Sequence, residues 1–232
     1  MSTAPTAASP DTPGWYGKLS SLGDFATRRL APDFRAACDP WLSHAMAGSR
    51  TQLGERWLDV YLTAPVLRFA WAPGVFDTSW WFGVMMPSCD NVGRYFPLLV
   101  AHPRPRPPVD RIALDHLDLW LDHLASAALQ TLHEHASLDT FEAALGDAPP
   151  WPTPGATVRI AMNASPGGER YELDRAATLN QWLHAISIHE LQTRFAGHSL
   201  WWRQTDTAQR ASVNAVRGLP DPATFAALLT GP

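Results

Sequence analysis

Cysteine is nearly missing from this chain: Cys38 and Cys89 are the two it has among 232 residues. A pair of cysteines supplies neither a disulfide framework nor a cysteine-based metal set. It reads as two reduced thiols in a reducing compartment. Charge is also scarce, at 17% of residues against a usual ~25%. The net charge is −4, and no basic run appears. Nucleic acid binding rests on phosphate neutralisation, so it is not expected. No stretch approaches the roughly 18 consecutive apolar residues of a membrane-spanning helix. Residues 1–13 hold no positive charge and no apolar run, which argues against a signal peptide. These absences point to a cytoplasmic protein with no membrane insertion.

The signatures of common chemistries are missing as well. His189-Glu190 opens like a zinc-protease helix, but Thr193 stands where the second His belongs. Ser199 follows Gly197, but Trp201 replaces the closing glycine of a nucleophile elbow. Gly17-Lys18 lacks the upstream glycine of a phosphate-binding loop, because position 12 is Thr. His133 and His135 flank Glu134 with no further ligand in view, and read as surface residues. No cofactor, metal or catalytic residue is expected.

What is abundant is tryptophan, with eleven residues, within a hydrophobic fraction of 46%. Each Trp needs apolar cover and a partner for its N–H. The core is therefore rich in aromatics, or an aromatic surface awaits a partner. Proline clusters at 103–108 and 149–154 mark loops. The expected organisation is a disordered arm over 1–13, then a single domain over 14–232, with 149–155 as a candidate subdomain junction.

Hydrophobic patterning predicts strands at 15–18, 66–71, 80–86, 95–102, 157–162, 199–203 and 212–216. It predicts helices at 32–62 (broken near Gly48), 110–135, 139–145, 178–191 and 222–229. In the 110–135 helix Leu117, Trp120, Leu121, Leu124, Ala128 and Leu132 share one face. In the 178–191 helix Leu179, Trp182, Leu183 and Ile186 form the expected buried stripe. Thr178 with Gln181 makes a capping box, and Asp139 with Glu142 is a second capping arrangement. Trp80-Trp81 and Trp201-Trp202 place large apolar groups on consecutive strand positions, which face opposite sides of a sheet. The fold class is therefore α+β, a mixed fold with a central, mostly antiparallel sheet covered by helices on both faces.

Two segments carry the candidate site residues. In Gly14–Phe25, Trp15 and Lys18 precede a Gly23-Asp24 turn, with Arg28 and Arg29 just beyond. In Met86–Leu98, Asp90 and Asn91 sit in a turn, Gly93 permits a left-handed backbone and Arg94 enters the next strand. Arg94 is next to aromatics that must be buried, so it needs a carboxylate. Asp24 and Asp90 are the candidates. These three residues form an internal ion-pair network or a partner contact. Trp15, Lys18, Arg28 and Arg29 make one candidate interaction surface. Asp115, Asp118 and Asp122, on the outer face of the 110–135 helix, make a second, which also reads as a merely solvated face. The competing reading is a hydrolase-type enzyme using Asp24, Asp90 and Arg94.

Gly14-Trp15-Tyr16-Gly17-Lys18-Leu19, Gly23-Asp24-Phe25, Arg28-Arg29-Leu30, Tyr61 through Pro65, Arg68-Phe69-Ala70 and Gly83 through Leu98 resemble the TagF/ImpM family of type VI secretion accessory proteins. Ser199-Leu200-Trp201-Trp202 and Gly218-Leu219-Pro220 extend the resemblance. Ser20, where the family usually has Pro, and Cys89, where it often has an aliphatic residue, depart from it. The resemblance implies a cytoplasmic, post-translational repressor of secretion without established catalytic residues. It implies a forkhead-associated (Fha) scaffold as partner and a functional link to a threonine kinase–phosphatase pair.

Overall fold

The computed structural model describes residues 11–152, 160–173, 178–203 and 212–230. Residues 1–10 of the arm expected over 1–13, and the strand start at 157–159, lie outside the described residues. Residues 11–13 do not behave as an arm. Thr12 is buried, the Pro13 carbonyl accepts a 2.9 Å hydrogen bond from Arg29 Nε, and Asp11 pairs with Arg104 at 2.8 Å.

The strands are β1 (Gly14–Gly17), β2 (Ala26–Arg28), β3 (Leu67–Trp71), β4 (Trp80–Met86), β5 (Leu98–Arg104), β6 (Ile160–Ser165), β7 (Gly168–Leu173), β8 (His198–Arg203) and β9 (Val213–Arg217). The α-helices are α1 (Pro32–Leu53), α2 (Trp57–Thr63), α3 (Arg111–Gln130), α4 (Leu138–Gly146), α5 (Leu179–Phe195) and α6 (Pro222–Thr230). Seven strands form one sheet in the order β2-β1-β5-β4-β3-β8-β9. Each neighbouring pair runs antiparallel. β6 and β7 form a separate hairpin. The late strands β8 and β9 are thus continuous with the early ones, and α6 packs on α1.

The sheet is covered on both faces, as the doubled aromatics demand. Trp81, Phe69, Trp71 and Trp201 face α1, α2 and α6. Trp80, Phe82, Val84 and Trp15 face α3 and α4. Leu117, Trp120, Leu121, Leu124 and Ala128 of α3 are buried on that side. Leu132 lies beyond the helix end and is half exposed.

Several local expectations are corrected. The long N-terminal helix breaks at Gly54, whose φ is +56°, and not at Gly48. Gly48 is helical, and its missing side chain lets α6 lie against α1: a Cβ there would stand 2.3 Å from Pro222 Cβ. Pro103 does not end β5, which runs on to Arg104. Pairing with β1 stops at Ala101, so Pro103 occupies a local sheet edge, where proline is tolerated. The α4 cap is Ser137 in a box with Thr140, not Asp139 with Glu142. The Thr178–Gln181 box opens α5 as expected, but its stripe is not buried. Leu179 and Leu183 are 72% and 55% exposed, and Ala185 is the buried residue of the helix. The small β6–β7 hairpin offers α5 little apolar surface to cover.

Candidate functional site

The two motif segments meet at one junction. β1 ends at Gly17, whose φ of +136° and near contact with the Pro97 carbonyl (2.1 Å from a built Cβ) exclude a side chain. The chain then turns Lys18 inward, where it is 3% exposed. Its Nζ donates to Asp90 Oδ2 at 2.6 Å. Asp90 is fully buried at its side chain. Its Oδ1 accepts the backbone N–H groups of Val92 (3.2 Å) and Arg94 (2.8 Å). Its Oδ2 also accepts Arg94 Nε at 2.7 Å. Asp90 therefore organises its own turn through local side-chain-to-backbone bonds. Gly93, with φ of +80°, supplies the left-handed residue that the turn needs.

Hydrogen bonds to backbone carbonyls weld this turn to the loop after β1. Asn91 N–H donates to the Leu22 carbonyl at 3.0 Å, and Arg94 Nη2 to the Gly23 carbonyl at 2.6 Å. Ser88 Oγ donates to the Lys18 carbonyl at 2.8 Å. Tyr61 Oη donates to the Ser88 carbonyl and accepts from Ser88 N–H, both at 3.0 Å.

Burial by itself would raise the Asp90 carboxyl. The hydrogen bonds from Lys18, and from the Arg94 backbone and side chain, outweigh burial and hold it well below the usual carboxylate range. A depressed folded-state pKa stabilises the protein above the unfolded value, about 3.9, and that stabilisation fades as pH falls further. The advantage of the native chain over Asp90→Asn is therefore expected to be flat from neutral pH to about 4, and to shrink below it. Urea unfolding of both proteins across this range measures the effect. An advantage unchanged between pH 5 and pH 2 would refute it.

The structure redistributes the expected site residues. Arg94 is not the buried cation, since its side chain is 57% exposed; Lys18 is. Asp24 does not join the network. It is exposed and accepts the N–H of Phe25 at 2.8 Å. Trp15 and Lys18 cannot belong to an interaction surface, being 0% and 3% exposed. Trp15 instead donates its indole N–H to Glu142 Oε1 at 2.5 Å. Arg29 pairs with the other oxygen of Glu142, and Arg28 lies 4.0 Å away. Those bonds outweigh burial and keep Glu142 below its ordinary pKa.

The acidic face of α3 is not free either. Arg68, 3% exposed on β3, donates to Asp118 Oδ1 at 2.5 Å and to Asp122. Asp115 lies 3.8 Å from Arg111. Sequence reading missed Arg68, Glu142, Tyr61 and Ser88 as network members. Strand parity puts Arg68 on the α3 side with Ala70, and that was the one available signal.

An enzyme needs an acid or base left unpaired in an open pocket. The Asp90 carboxylate is instead saturated, and Asp24 and Asp90 do not converge. A cleft of about 330 Å³ lies on the α3 face between Trp80, Phe82, Trp202 and Phe195, and among the described residues no titratable side chain lines it. Among the described residues no helix is long and apolar enough to cross a membrane.

The fold and junction define a mixed α+β protein whose marked sequence segments hold each other in place. The model of the TagF N-terminal domain, type VI secretion system-associated, matches residues 14–148. The chain belongs to this family. It is similar to the crystal structure of PA0076 from Pseudomonas aeruginosa PAO1, at 36% identity and a TM-score of 0.76. The match covers 95% of this chain and 94% of that one. No curated protein matches the chain.

Proposed function

We propose that this type VI secretion-associated protein is a non-catalytic regulator that acts in the cytoplasm. It holds secretion off by binding a forkhead-associated scaffold, alongside a threonine kinase–phosphatase pair. One observation carries the non-catalytic part: the buried polar groups of the two motif loops are consumed by one another. Asp90, Lys18 and the Arg94 backbone spend their hydrogen bonds on loop geometry, which gives a fixed surface rather than a reactive group. The scaffold and the sign of regulation come from family resemblance.

The test is binding of purified protein to the forkhead-associated scaffold of the same secretion system, paired with a secretion assay in a deletion strain. Micromolar or tighter binding and raised secretion on deletion are expected. No binding together with unaltered secretion would overturn the reading.

A further inference from the structure

Phe25, Val92 and Arg94 are among the side chains that the welded junction presents outward, together with Asp24 and Asn91. Phe25 is 44% exposed and Val92 is 68% exposed. Arg94 keeps 57% of its side chain in solvent. The Phe25 ring is not loose. It packs edge-on to Phe96 with centroids 4.7 Å apart, stacks beside Tyr16 at 6.1 Å, and has Lys18 Nζ at 4.8 Å from its centroid. Its inner side is thus fixed while its outer side is open. Arg94 spends Nε on Asp90 and Nη2 on the Gly23 carbonyl. Those two bonds hold the guanidinium, and among the described residues Nη1 has no protein acceptor.

We propose that Phe25, Val92 and Arg94 form a docking patch for a partner protein, one that offers an apolar pocket to the Phe25 ring and a carboxylate to Arg94. This rests on the regulator reading above and names the surface that reading uses. Two arguments favour this patch over others. Binding costs fall when the contact groups are already ordered, and here hydrogen bonds from Asn91 N–H and Arg94 Nη2 to the carbonyls of Leu22 and Gly23, with a buried Lys18–Asp90 pair beneath, order them before any partner arrives. Exposed phenylalanine and arginine are also side chains in which protein interfaces are enriched. The held, outward cation selects a carboxylate by charge complementarity.

The experiment titrates the forkhead-associated scaffold into the unaltered full chain and into Phe25→Ser, Val92→Asp and Arg94→Met, with Leu183→Ser on α5 as a control remote in the fold. Calorimetry reads the affinity, and a melt of each variant reports folding. Phe25→Ser and Arg94→Met are each expected to weaken binding about tenfold or more, Val92→Asp similarly, and Leu183→Ser not at all. Val92 is the most exposed of the three, so its variant decides the matter should Phe25→Ser melt early. Native-like binding by Val92→Asp and Arg94→Met overturns the patch and leaves the regulator reading standing. Absence of binding by the unaltered chain overturns both.

Discussion

Lys18→Met is expected to cost about 3–5 kcal/mol of stability, because it leaves a buried carboxylate without its buried counter-charge. Methionine matches the length and apolar stem of lysine, so packing is nearly kept and the missing charge is isolated as the cause. Asp90 would retain two backbone N–H donors and Arg94, but Arg94 is largely in solvent and pairs weakly for that reason. Arg94→Met is therefore expected to cost no more than about 1 kcal/mol. The contrast matters more than either value, since sequence alone assigned the buried role to Arg94. Against a typical total of about 5–15 kcal/mol, the Lys18 variant should unfold at a clearly lower urea concentration with an unchanged slope. The double variant Lys18→Met with Asp90→Asn should recover part of the loss, because no unpaired charge remains buried. Equal midpoints for Lys18→Met and Arg94→Met would refute the assignment.

Gly83→Ala is expected to be at or above the top of the ~1–3 kcal/mol range for overpacking. Gly83 sits mid-strand in β4, opposite Phe69 on one side and Ala101 on the other. An added Cβ would stand 1.9 Å from the Val100 carbonyl oxygen, 2.7 Å from Phe69 Cζ and 3.0 Å from Ala101 Cα. Two of these are backbone atoms in the sheet, which cannot rotate away as a side-chain tip can. Either β5 shifts and its ladder weakens, or the core opens. Gly146→Ala is the matched control, since none of the described residues lies within 4 Å of its would-be Cβ. A melting temperature for Gly83→Ala close to that of the native protein would sink this argument; soluble yield should fall with it.

Much of the fold was legible from local pattern. Period-2 and period-3.6 spacing located β1, β3, β4, β8, α3 and α6 to within a few residues. The failures have local causes. β2 is three residues long and β7 is rich in charge, so neither carries an apolar alternation. Gly48 looked like a helix breaker because glycine is costly in a helix; the close approach of Pro222 that requires it lies 174 residues on in sequence. The site was half legible. Its two segments stood out and Asp90 was identified, but the inward cation was assigned to the wrong residue.

By itself the sequence determined that a sheet would be covered on both sides, since consecutive residues in a strand face opposite ways and Trp80-Trp81 and Trp201-Trp202 are both large and apolar. It also determined the α3 stripe and the turn chemistry of Asp90 and Gly93, because those depend on neighbours a few residues away. Only the tertiary structure decided which distant polar and charged groups pair. Lys18 meets Asp90 across 72 residues, Arg68 meets Asp118 and Asp122 across 50 and 54, and Trp15 meets Glu142 across 127. Strand parity fixes the face on which a side chain emerges, but not which strand or helix lies opposite. That depends on the order β2-β1-β5-β4-β3-β8-β9, which is set by the joint packing of all the elements.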